Sequence, residues 1–122
     1  MEMIFKSEKA ITMKRETITI SSSQGKKKIQ KDKIVFCKQY LVGTLIELQD
    51  GHHYLLKEKL DELMDILSDN TFFFVSNREL INMDYLEAVF SDQVVLSNGK
   101  SFNVNPIRKM ALLRKSSQEA WT

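Results

Sequence analysis

Residues 71–105 constrain the fold more than any other part of the chain. They contain an apolar run at 72–75, a polar segment at 76–79, a second apolar pair and two alternating runs around Asn98-Gly99. Asn-Gly between alternating runs is a strong hairpin signal, because both residues tolerate the positive φ of a type I′ turn. The sequence therefore predicts antiparallel strands here, with a type I′ turn at Asn98 and Gly99.

The first half of the chain shows the same alternation of short strands and tight turns. Apolar or alternating runs predict strands at residues 17–20, 26–30, 34–38, 44–48 and 52–56, with turns at 21–25 and at Asp50-Gly51. Runs joined by such short turns form an antiparallel meander. The sequence thus favours a mainly β architecture of about eight to ten short strands.

One helix is predicted between the two β regions, at residues 57–67. The spacing i, i+3, i+4 and i+7 places four apolar residues on one helical face: Leu60, Leu63, Met64 and Leu67. The acidic residues lie on the opposite face. Residues 68–70 end it. We expect this helix to cover an open face of the sheet and, being acidic outside, to lie away from any phosphate ligand.

A second helix is predicted at residues 106–115. Pro106 suits the first turn, where its missing N–H costs nothing, and Asn105 is the candidate N-cap. Ile107 and Met110, with Leu112 or Leu113, are expected to face inward. Residues 116–122 are predicted to be a frayed C-terminal tail, and residues 1–16, which lack a clear period, an N-terminal extension.

Composition excludes several classes of protein. A chain of 122 residues with 43% hydrophobic and 28% charged residues is typical of one soluble domain. No apolar run approaches the ~20 residues that span a bilayer, and the N-terminus does not resemble a signal peptide. The single cysteine, Cys37, fits a reducing cytoplasm.

The net charge of +2 conceals a segregation along the chain. Residues 1–40 carry a net +6, residues 41–95 a net −8 and residues 96–122 a net +4. Such segregation can produce a basic face on a nearly neutral protein. The alternative is that folding mixes the two signs.

The residue pattern does not favour an enzyme or a metal protein. His52 and His53 are neighbours on a predicted strand, so their side chains point to opposite faces and cannot share one metal. Cys37 lies on a core-like strand, no motif presents a nucleophile beside a base, and no glycine-rich phosphate loop is present. We therefore predict no catalytic residues, no metal, no cofactor and no small-molecule substrate.

The order of motifs resembles the LytTR family of bacterial DNA-binding domains. The matching positions are Phe72, Val75, Leu80, Ile81, Asn82, Tyr85, Leu96, Ser97, Asn98, Gly99 and Val104. The resemblance extends upstream to about Thr17. It implies a LytTR-like domain over residues 17–115, with short antiparallel strands in small packed sheets and one or two short helices.

The resemblance also implies a function: sequence-specific binding of double-stranded DNA by a cytoplasmic transcription regulator that uses loops rather than a recognition helix. Three separate segments would meet the DNA. The residues implied are Lys38, Gln39 and Tyr40 in the first, Ser76, Asn77 and Arg78 in the second, and Asn105, Arg108 and Lys109 in the third. Family members bind paired direct repeats, so two copies per site are implied. The usual receiver domain has no room in this chain, so regulation would come from expression, a partner or self-association.

These side chains have suitable chemistry, and each has an alternative interpretation. Arg78 can pair with guanine or phosphate, and Asn77 and Asn105 with adenine or phosphate. Alternatively, residues 76–78 are a solvated break between strands, and Arg108 and Lys109 a solvated helix face. We interpret residues 26–28, all lysine, as protection of an edge strand, residues 72–74 as core, and Asn82 as structural.

Several positions depart from the family pattern. Phe74 stands where the family commonly has an arginine, residues 76–79 replace His-Arg-Ser-Tyr, and Asn105-Pro106 replaces Ser-Arg. Glu79 adds a negative charge. Two functions follow: a regulator with altered base preference, or a protein-interaction module of the same fold with weak or no DNA affinity.

Overall fold

The computed structural model describes residues 17–22, 25–67 and 71–121. The predicted extension at 1–16 and the helix stop at 68–70 lie outside these residues. The strands are β1 (Thr17–Ser22), β2 (Gly25–Gln30), β3 (Ile34–Tyr40), β4 (Gly43–Leu48), β5 (His53–Leu56), β6 (Phe72–Ser76), β7 (Glu79–Asn82), β8 (Leu86–Val89), β9 (Gln93–Leu96) and β10 (Ser101–Asn103). The α-helices are α1 (Leu60–Ile66) and α2 (Pro106–Trp121), and single 3-10 turns lie at Lys31–Lys33 and Met83–Tyr85.

The strands form two antiparallel sheets in the described part of the chain. The larger has seven strands in the order β2-β1-β5-β4-β3-β7-β6, and the smaller has three in the order β10-β9-β8. The mainly β architecture expected from the sequence is thus confirmed. The lysine-rich strand β2 lies at an edge of the larger sheet, as its composition predicted.

Two hydrophobic cores lie on opposite faces of the larger sheet. One packs α1 against strands β1 to β7, with Leu60, Leu63 and Leu67 buried. The other packs the small sheet and α2 against β3, β6 and β7, with Phe36 and Phe102 in an edge-on ring contact at 5.0 Å. Strand β3 contributes to both cores, which fixes it at the centre of the fold.

Helix α2 differs from its prediction in length and orientation. It continues to Trp121, past the end at residue 115 that the sequence predicted. Leu112 is buried, but Ile107, Met110 and Leu113 are exposed rather than facing inward. The reason is that the first turn is anchored by its basic residues, Arg108 and Lys109, which turns the apolar positions toward solvent.

Two hairpin loops share one backbone geometry. In the β9–β10 loop, Leu96 N donates to Lys100 O at 2.9 Å, and Gly99 has φ of 88°. The β4–β5 loop repeats this pattern with Leu48, His52 and Gly51. The predicted type I′ turn is wrong, because among the described residues only glycines have positive φ. Asn98 instead donates to Glu47 Oε2 at 3.0 Å and accepts from Lys100 N at 3.0 Å.

Asn82 joins the end of β7 to the start of β3. It is fully buried, donates to Ile34 O at 2.8 Å and accepts from Asp84 N at 2.9 Å. The structural role predicted for it is confirmed. Across the described residues, neither α-helix has the length and apolar character that crossing a bilayer would require.

Candidate nucleic-acid interface

The first two predicted segments are joined by strand pairing. Strand β3 pairs antiparallel with β7, which aligns Lys38 with Glu79. One residue further along β3, Gln39 N donates to Arg78 O at 2.8 Å. The end of β3 and the β6–β7 turn are therefore held side by side by backbone hydrogen bonds.

Arg108 brings the third segment to the same place. Its Nη1 donates to Phe74 O at 3.0 Å, and its Nη2 donates to Asn77 Oδ1 at 2.8 Å. A shallow depression is lined jointly by residues of all three segments and of α1: Gln39, Lys59, Asp61, Phe74, Asn77 and Arg108. The structure thus gathers segments that lie far apart in the sequence, and we call this surface the loop cluster (residues 38–42, 76–79 and 105–109).

Asn105 starts helix α2. Its Oδ1 accepts from Arg108 N at 2.8 Å, and its carbonyl oxygen accepts from Lys109 N at 2.9 Å. This is the N-cap predicted from the sequence. Lys109 Nζ donates to Ser91 O, in the loop between β8 and β9, at 3.2 Å. The first turn of α2 is consequently held by the Asn105 cap and by the side chains of Arg108 and Lys109.

Gln39, in strand β3, caps the N-terminus of helix α1. Leu60 N donates to Gln39 Oε1 at 2.9 Å, so β3 supplies the cap that Lys59 lacks. Glu62 Oε1 accepts from Lys59 N at 3.2 Å. The expectation that α1 lies away from the site is wrong for its first turn, because Lys59 and Asp61 border the loop cluster.

The polar segment 76–79 is ordered by its own side chains. Ser76 Oγ donates to Glu79 Oε1 at 2.9 Å and accepts from Arg78 N at 3.3 Å. Glu79 also forms an ion pair with Lys38, with Oε2 and Nζ 3.4 Å apart. Ser76 and Glu79 are therefore structural members of this turn, and Glu79 neutralises one of the predicted cations.

Exposed groups remain at two places in the loop cluster. Arg78 is exposed, and its guanidinium has no hydrogen-bond or ion-pair partner among the described residues. Tyr40 is 46% exposed, with Lys38 Nζ 5.6 Å from its ring centroid. Leu41 and Val42, which complete the first segment implied by the resemblance, are also exposed, although the sequence assigned them no contact of their own.

The loop cluster carries more basic than acidic side chains. Lys38, Lys59, Arg78 and Arg108 line its depressions, against Asp61 and Glu79, whereas the Lys109 ammonium is directed to Ser91 O. Arg108 is held by hydrogen bonds, and Lys38 is paired with Glu79. The free positive charge is therefore concentrated at Arg78 and Lys59.

The residues considered for catalysis lie in different elements: Cys37 is in β3, His53 is in β5 and His52 directly precedes β5. Cys37 is fully buried, and burial raises the pKa of its thiol to about 12, so it stays protonated. His52 contacts Asp50, with Nδ1 and Oδ2 3.0 Å apart, and hydrogen bonds from His52 lower the pKa of the Asp50 carboxyl. Residues 17–22, 25–67 and 71–121 contain no group of three potential metal ligands.

Comparison with known proteins identifies the fold. No family model and no curated protein matches the sequence. The structure is similar to that of a solved LytTr DNA-binding domain from Bacillus cereus, with a TM-score of 0.69 and 14% identity. The likeness covers 81% of this chain and 94% of that domain. The chain therefore has the LytTR fold that the resemblance implied.

Proposed function

We propose that this chain binds double-stranded DNA sequence-specifically and acts as a bacterial transcription regulator in the cytoplasm. The observation that carries the proposal is the convergence of three distant segments on the loop cluster, linked by Gln39 N to Arg78 O and by Arg108 to Asn77. The similar solved domain is described as DNA-binding, which supports the same function.

Arg78 is the side chain we expect to contribute most to affinity. It is exposed and positively charged, and the turn around it is ordered by Ser76. A guanidinium on a rigid turn loses little conformational freedom when it forms two parallel bonds to phosphate or guanine. Lys59 and Lys38 would add weaker phosphate contacts, the latter reduced by Glu79.

The remaining predicted residues would act by positioning. Gln39 caps α1, Asn105 caps α2 and Arg108 bridges to Phe74 and Asn77. Under the proposal they hold the loop cluster in the shape that meets the duplex. Two copies of the chain would bind paired repeats, each through its own loop cluster.

The test is duplex binding at low and moderate salt, with an arginine variant and a lysine control. Arg78→Ala is expected to weaken binding and to reduce the salt slope by about one, as for the loss of one phosphate contact. Lys28→Ala removes an equal charge from the distant edge strand β2 and should leave the slope unchanged. Absence of binding at low salt would contradict the proposal.

A second candidate is an interaction module with little DNA affinity. It is favoured by helix α2, which presents Ile107, Met110 and Leu113 to solvent while Arg108 is tied down. Under this function, Met110→Ser would abolish association with a protein partner. Under the first function, the same variant would bind duplex DNA as the wild type does.

A further inference from the structure

The turn between β3 and β4 carries two exposed apolar side chains. Tyr40 pairs with Gly43, so Leu41 and Val42 alone form the turn. Leu41 is 96% exposed and Val42 is 74% exposed. Neither residue has a positive φ, so the turn accepts most residue types and does not by itself account for an apolar pair at its tip. Neither side chain belongs to a hydrophobic core.

This apolar tip adjoins the exposed cation of the loop cluster. Leu41 and Arg78 line the same shallow depression, together with Lys38 and Tyr40. The Gln39 N to Arg78 O bond fixes the spacing between the two loops. An apolar pair and a guanidinium are consequently held side by side on one surface.

The amide side chains of the loop cluster are already engaged. Gln39 Oε1 accepts from Leu60 N, Asn77 Oδ1 accepts from Arg108, and Asn105 Oδ1 accepts from Arg108 N. Two-bond recognition of adenine requires both the oxygen and the NH₂ group of an amide. Because each oxygen is directed at an internal donor, these amides are poorly suited to that recognition.

We infer that Leu41 and Val42 recognise thymine methyl groups in the major groove, beside a guanine or phosphate contact made by Arg78. This rests on the proposed function and deepens it by naming the base. The thymine C5-methyl is the apolar group that a base pair presents in the major groove, and aliphatic side chains contact it there. A tip projecting from a rigid hairpin can enter a groove that is ~12 Å wide.

The test removes the methyl group from the DNA and the side chain from the protein. Sequences that bind the full chain are first selected from a randomised duplex pool. Each thymine of the selected duplex is then replaced by deoxyuridine, and affinity is measured by fluorescence anisotropy. The proteins are wild type, Leu41→Ala, Val42→Ala and the control Leu113→Ala, which shortens a half-exposed leucine on α2.

We expect at least one uracil substitution to weaken wild-type binding about three- to five-fold, the effect of one buried methyl group. That loss should vanish in Leu41→Ala or Val42→Ala and persist in Leu113→Ala. If uracil has no effect, or if its effect survives in both turn variants, the inference is overturned while the proposed function stands. If duplexes bind but no sequence is enriched, the inference and the sequence specificity of the proposed function are both overturned. Failure to bind any duplex would contradict the proposed function itself.

Discussion

Arg108 donates from Nη2 to Asn77 Oδ1 at 2.8 Å while its Nη1 donates to Phe74 O at 3.0 Å. These bonds attach the first turn of α2 to the β6–β7 turn. Arg108, which the resemblance assigns to DNA contact, thus stabilises the fold through these two hydrogen bonds. Its removal would leave a backbone carbonyl and an amide oxygen without their donor.

Arg108→Ala is therefore expected to lower the free energy of unfolding by about 1–2 kcal/mol. Arg78→Ala removes an exposed side chain and should change it by less than ~0.5 kcal/mol. Urea unfolding of both variants makes the comparison. Equally small effects would contradict the structural role of Arg108.

Gly43 is required at the start of β4. A Cβ atom there would lie 1.9 Å from Leu56 O, and the residue has φ of +147°. Gly43→Ala is expected to destabilise the fold by about 3 kcal/mol or more, because strand backbone would have to move. Gly51→Ala is the control: its φ is +93° but nothing lies within 4 Å, so conformational strain alone should cost about 1–2 kcal/mol. Equal losses of stability would show that the contact with Leu56 is unimportant.

Asn82 is the buried polar side chain whose loss should be most costly. Asn82→Ala leaves Ile34 O and Asp84 N without their partners, and we expect a loss of about 2–3 kcal/mol in thermal or urea unfolding. Asn103→Ala, at an exposed position of β10, should be nearly neutral. A neutral Asn82→Ala would mean that neighbouring groups satisfy both atoms.

Cys37 provides a pH-dependent prediction. Burial raises its pKa from 9.0 to about 12, so the folded state holds its proton more tightly than the unfolded chain does. The contribution of the buried, protonated thiol to the free energy of unfolding is fully present below pH 9 and is lost as pH rises through about 12. At pH 8, a thiol reagent should label Cys37 only after urea unfolding, and rapid labelling of the folded protein would contradict its burial.

Local patterns predicted most of the elements. The leucine spacing in 57–67 identified α1 and its buried face, and Asp50-Gly51 identified a hairpin, because both signals lie within a few residues. The bridging role of Asn82 was likewise visible as a polar residue at the end of an apolar strand.

The errors arose where distant residues decide the outcome. The orientation of α2 depends on Arg108 contacting residues 31 and 34 positions away. The conformation at Asn98 includes a bond to Glu47, which is 51 positions away. For the same reason the sequence could not show that Gln39 caps α1 and so brings Lys59 beside the loop cluster.

The central claim is that the loop cluster is one DNA-binding surface. Its most direct test is a titration of the ¹⁵N-labelled chain with a short duplex, followed by amide chemical shifts. We predict that the largest changes will occur together in residues 38–42, 76–79 and 105–109, with little change in β2. Changes concentrated on the exposed face of α2 around Met110, or no changes at low salt, would contradict the claim.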